Sequence, residues 1–212
     1  TEQTDQNAKY VMLYIWGDDH FRSVLRCRYA AIYTRWNSRA GRAFHNNFWC
    51  NVEMDLKSQA FVENENLLPT PERLYNMTDP DFMVEALKDD LMLQLQVFGL
   101  IDPSSLDFSR LNALAEILGV DCIQPDEVES REASAERLRC AYGFAATKHI
   151  LEKAFHFCEQ NNRELMILLL CPSVIRQLLN QEPRYEQPVV DFLDEKKFPY
   201  IDMNLAHLED YK

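Results

Sequence analysis

Two carboxylates, an imidazole and a guanidinium fall within six residues, Gly17–Asp18–Asp19–His20–Phe21–Arg22, straight after the apolar run Tyr10–Trp16. A run of that length, rich in β-branched and aromatic residues, predicts a strand buried on both faces. Residues beyond the carboxyl end of such a strand are where open α/β sheets bind ligands. There Asp18, Asp19 and His20 can hold a metal, orient a base or position a substrate, and Arg22 can meet an anionic group. The same spacing also serves a helix start, with Asp18 or Asp19 as the cap and acids offsetting the helix dipole. No second cluster has metal-ligand spacing, so neither a metal nor a cofactor is assigned. Two other strand ends qualify by the same rule: Cys171–Pro172–Ser173, and Asp202 with His207. A carboxylate that orients an imidazole is half of a hydrolase triad, but Asp202 and His207 meet only if the loop between them curls back. Otherwise Asp202 caps a helix beginning near Asn204. No G-x-S-x-G elbow is present, and Ser173, behind Pro172, reads as a cap.

What positions these residues follows from composition and pattern. The chain has 212 residues, 34 acids against 22 bases and a formal net charge of −12. That length suits one α/β domain, residues 1–212, with a candidate insertion over 44–125. Five glycines, well separated, exclude a Walker A loop and a G-x-G-x-x-G fingerprint, and with them phosphate cradling by a glycine loop. The acidic balance argues against general nucleic-acid binding, although residues 1–42 carry a net charge of +3. Those arginines read as a solvated helix face or a local anion site. The apolar run Leu165–Cys171, as long as any in the chain, is too short for the ~20 residues of a membrane span. Six cysteines show neither a C-x-x-C pair nor zinc spacing. Read as buried thiols, they favour a reducing compartment such as the cytoplasm. The oligomeric state has no signature in the sequence.

Apolar periodicity predicts helices over 20–36, over 80–98 with Asp79 as cap and Pro80 at the first position, over 111–118 ended by Gly119, and over 133–160. Phe48–Asp55 and Ala60–Glu63 predict a small β-hairpin. Leu165–Leu170 predicts the central strand of a parallel sheet, helices follow at Val174–Leu179 and from Pro188, and Phe198–Met203 predicts a third strand. This alternation predicts a three-layer, flavodoxin-like parallel sheet between helices, with the hairpin and a helical segment inserted.

The strand Tyr10–Trp16 followed by Gly17–Asp18–Asp19–His20–Phe21–Arg22–Ser23 resembles the third conserved block of the SGNH (GDSL-like) hydrolases. There a strand leads into Gly-x-Asn-Asp, and the asparagine helps form the oxyanion hole. Leu165–Leu170 and Phe198–Asp202 look like the last two strands of that fold. The resemblance covers 10–36 and 133–212 and implies hydrolysis of an ester or acyl group on a carbohydrate or small molecule. A serine would attack, a histidine act as base and donors hold the oxyanion. Gly17, Asp18 and Arg22 would then line the substrate, with Asp19 and His20 positioning it and Asp202 and His207 as weaker catalytic candidates. The departures are specific. Asp19 stands where the family has Asn and His20 where it has Asp, and an ionised aspartate donates no hydrogen bond. The serine block and the closing Asp-x-x-His block are not found. Both absences fit a piece whose first strands precede Thr1 and whose histidine follows Lys212. They equally fit a related fold that serves as a non-catalytic binding module, with the acidic segment 79–160 as its partner surface.

Overall fold

The computed structural model describes residues 8–17, 19–27, 48–99, 102–124 and 128–211. In chain order its elements are β1 (Tyr10–Trp16), α1 (Asp19–Arg22), β2 (Asn51–Asp55), β3 (Ala60–Asn64), α2 (Pro80–Leu87), α3 (Leu91–Gln96), α4 (Phe108–Leu118), α5 (Val128–Gln160), β4 (Glu164–Leu170), α6 (Pro172–Leu179), α7 (Gln187–Lys196), β5 (Tyr200–Asp202) and α8 (Met203–Leu208). They form two units, Thr1–His20 with Thr147–Lys212, and Phe21–Ala146. The division falls inside α5, and the interval 44–125 lies within the second unit. The architecture is mixed α/β, with one parallel and one antiparallel sheet.

In the first unit three strands run parallel in the order β1-β4-β5. β4 is central, as its unbroken apolar sequence predicts. Leu165, Ile167 and Leu169 point to one face and are buried. Phe198, just before β5, stacks on Phe155 of α5 with centroids 4.3 Å apart and meets Phe192 of α7 edge-on at 5.7 Å. β5 is shorter than the predicted 198–203, because Asp202 caps α8 and turns Met203 into a helix.

β1 corrects an expectation. Its apolar run predicted burial on both faces, yet Tyr10, Met12, Tyr14 and Trp16 are exposed while Val11, Leu13 and Ile15 are half-buried. Alternate side chains point to opposite faces, and the face of Tyr10, Met12, Tyr14 and Trp16 is left open. Among the described residues β1 pairs with β4 alone, from Tyr10↔Glu164 to Trp16↔Leu170, so it is an edge strand.

The second unit holds the hairpin β2–β3, antiparallel from Asn51↔Asn64 to Asp55↔Ala60. Its turn is made by Asp55, which accepts from Lys57 N and Ser58 Oγ, and by Gln59 in the left-handed region. The Asp79 carboxylate accepts from Asp81 N, with Pro80 at the first turn, as predicted. The single helix predicted over 80–98 is instead two. Asp90 accepts from Leu93 N and starts α3 afresh, and Val84, expected on the buried face, is exposed. Aspartate offers the backbone a cap that competes with continuing the helix. In α4, Leu111, Leu114 and Ala115 are fully buried and Gly119 closes the helix at φ 67°. α5 begins five residues ahead of the predicted Ala133. The helix predicted over 20–36 stops at Arg22 in its described part, and residues 28–36 lie outside the described residues. No described helix is long and apolar enough to cross a membrane.

Candidate functional site

The three parallel strands of the first unit end at Trp16, Leu170 and Asp202, and the residues at and after these ends share one buried network. His20 is fully buried and both its ring nitrogens are engaged. Nδ1 lies 2.9 Å from Thr147 Oγ1 on α5, and Nε2 lies 3.3 Å from Glu186 Oε2. An ionised carboxylate only accepts, so Nε2 carries the proton in this arrangement. The other Glu186 oxygen, Oε1, receives the Arg184 guanidinium and, at 3.3 Å, Asn204 Nδ2. Arg184 also donates to Asp202. The second Asp202 oxygen accepts from Asn204 N at 3.0 Å, and Asn204 Oδ1 accepts from Cys171 N at 2.6 Å. Tyr185 Oη donates to the Gly17 carbonyl at 3.1 Å. With that hydrogen committed, the Cys171 thiol, 3.6 Å away, is the donor to Oη.

Burial alone would raise the Glu186 carboxyl, but the hydrogen bonds and charge of His20 and Arg184 outweigh it and hold the pKa below the ordinary glutamate value. Burial likewise works to lower Arg184, and its hydrogen bonds to Asp202 and Glu186 reverse that and raise it. Each charge is therefore kept by a partner, the condition under which ionised groups persist in an interior.

Gly17 earns its place by close approach. A Cβ there would run into Cys171 Sγ and stand 3.3 Å from Cys171 Cβ and 3.4 Å from Tyr185 Oη. Gly17→Ala is expected to cost about 1–3 kcal/mol by overpacking. A fall in urea midpoint at constant slope checks this, and an unchanged midpoint would show that the contact yields freely.

The structure brings together three of the sequence-derived candidates, Gly17, His20 and Asp202, through residues the sequence reading did not select. It separates others. Asp202 does not serve His207 as a triad partner, because its two oxygens are taken by Arg184 and by its own helix cap, while His207 Nδ1 lies on exposed Asp210 at 3.2 Å. Asp19 Oδ2 accepts from Trp16 N at 2.8 Å, which fixes the turn out of β1. Arg22 belongs to the second unit, where its guanidinium carbon stands 5.8 Å from the Trp49 ring centroid and its carbonyl accepts from Trp49 Nε1. Asp18 lies outside the described residues. Among the described residues no group of three or more His, Cys, Asp or Glu is placed to hold a metal. The residues missed were Thr147, Arg184, Tyr185, Glu186 and Asn204. The one sequence signal for them is the charged triplet Arg184–Tyr185–Glu186 between Pro183 and Pro188.

No protein-family model matches the chain. Nor does any curated protein or solved structure match it.

Proposed function

We propose that the first unit carries the strand-end loops of an SGNH-like hydrolase, of flavodoxin-like three-layer build, acting on an ester or acyl group of a carbohydrate or small molecule. The observation that carries this reading is the convergence of Gly17, Cys171 and Asp202, at or just beyond the ends of three parallel strands, on one buried network. Ligands of open α/β sheets bind beyond such ends. In this reading Gly17, Asp19 and His20 are held rigid so that groups above them meet the substrate in fixed geometry. Asp19 sets the turn, His20 anchors it to α5 and to Glu186, and the attacking nucleophile is not assigned to a residue of this chain.

The test is turnover of p-nitrophenyl acyl esters and acetylated sugars by the full-length gene product. Hydrolysis above background, with kcat/KM lowered at least tenfold in Asp19→Ala, is the expected result. No hydrolysis, and no change on replacing Asp19 or His20, would sink the proposal.

A second reading, a non-catalytic binding module, draws on one observation: His20, Asn204 and Glu186 are buried with their polar atoms already engaged, as in a network that fixes loops. Ester turnover decides between the two.

A further inference from the structure

We propose that the connection Asn180–Glu186, between α6 and α7, is a strap that closes the strand ends of the first unit and must lift before a ligand reaches them. The inference rests on the strand-end reading above and names how access to that site is regulated.

Three consecutive residues of the connection hold the exits of three different strands. Arg184 pairs with Asp202 at the end of β5. Tyr185 bonds the Gly17 carbonyl after β1 and meets the Cys171 thiol after β4. Glu186 takes His20. With these contacts made, Gly17, His20, Cys171 and Asn204 are all buried, which leaves no surface at them for a ligand to dock on.

How the segment is fastened decides how it can move. Residues 180–183 are exposed, and the backbone donors of 180–182 are spent on the end of α6, on Arg176, Leu178 and Gln177. Gln181 sits at φ 57°, which lets the chain reverse there. The ties of 184–186 to the strand exits are made by side chains, and the amide of Tyr185 turns back to Gln177 Oε1. Lifting the strap therefore breaks side-chain contacts, together with the bonds that Gln187, Val189 and Val190 N make to the Arg184 and Glu186 carbonyls at the start of α7, and leaves the strand ladder in place. Openings of this local kind are far less costly than unfolding the sheet.

The Cys171 thiol reports the opening, and Cys158, buried in the same unit, reports wider unfolding. The experiment is site-resolved alkylation of the full chain by N-ethylmaleimide, followed by mass spectrometry under native conditions. Tyr185→Phe keeps the ring and removes the hydroxyl, and it is expected to speed labelling of Cys171 about tenfold, roughly what one hydrogen bond contributes, with Cys158 unchanged. Arg184→Met is expected to do the same through Asp202. If neither variant changes Cys171, or if Cys158 rises in step with it, the strap is wrong. Labelling needs no turnover. Inactive protein with a releasable strap would count against the hydrolase reading alone, and active protein whose Cys171 ignores both variants would count against the strap alone.

Discussion

Replacing Glu186 by alanine lowers the unfolding free energy by about 3–5 kcal/mol, the cost of removing one partner from a buried ion pair. Its side chain is almost wholly buried, and it accepts from His20, Arg184 and Asn204 at once. Without it Arg184 keeps only Asp202 among these partners, and His20 Nε2 loses its acceptor. Glu186→Gln preserves the shape but loses the charge, so a smaller loss of the same sign is expected. Both are read as urea midpoints, with the slope held constant as the sign that the unfolded state is unaltered. The folded pKa of Glu186 lies below its unfolded value of roughly 4.3, so the fold favours its ionised form. That stabilisation is fully present above the unfolded pKa and is lost as the pH falls through the lower folded one. Wild-type protein therefore loses stability on acidification in this range, and Glu186→Gln shows a flatter profile there. A variant as stable as the wild type would mean that the network is not formed.

Asp90 in the second unit produces the opposite slope. Burial pushes its carboxyl up to about 6, against the pull of the Arg26 and Leu93 amides and of the Arg26 guanidinium. It is 2 % exposed, and its two oxygens accept from Arg26 N at 3.0 Å and Leu93 N at 2.9 Å. The neutral acid is thus the form the fold prefers. Its stabilising contribution is complete below the unfolded value of about 3.9 and is lost as the pH rises to about 6. The difference between the two ends is about 3 kcal/mol. Asp90→Asn removes this titration. The stability gap between wild type and Asp90→Asn should therefore shift by about 2 kcal/mol in favour of the variant between pH 4 and pH 7, followed by thermal unfolding. A gap independent of pH would show that Asp90 is solvated or titrates normally. The carboxylate is retained at this cost because it joins the Arg26 backbone to the start of α3, beside the Arg26–Glu53 pair at 2.8 Å.

These two carboxylates also mark where the sequence was legible and where it was not. Patterns that depend on neighbouring residues could be read directly. The apolar run of β4, the Asp79–Pro80 start of α2, the αL glycine after α4 and the β2–β3 hairpin all appear where local chemistry puts them. Features that depend on distant partners could not. The run Tyr10–Trp16 has the composition of a strand covered on both sides, and only the packing of the fold leaves the face of Tyr10, Met12, Tyr14 and Trp16 exposed. Asp90 looks like any surface aspartate in a helical stretch until Arg26, 64 residues away, meets it.

The candidate site divides in the same way. Gly17, His20 and Asp202 were found because each stands at or just after a strand end, and that rule needs only the strands. Their partners are 127 and 166 residues away for His20 and 18 for Asp202. Nothing at Thr147, or within Arg184–Tyr185–Glu186, announces which buried group it will satisfy. The same blindness joined Asp202 to His207, five positions along the chain, when the folded carboxylate turns to Arg184 instead.

Glu186 and Arg184 couple the exits of β1 and β5. A double-mutant cycle between His20→Asn and Asp202→Asn measures that coupling, since His20 is tied to one end of the Glu186–Arg184 pair and Asp202 to the other. A coupling of at least about 1 kcal/mol in unfolding free energy is expected, within the range for residues of one shared network. Effects that add to within about 0.5 kcal/mol, as for independent sites, would contradict it.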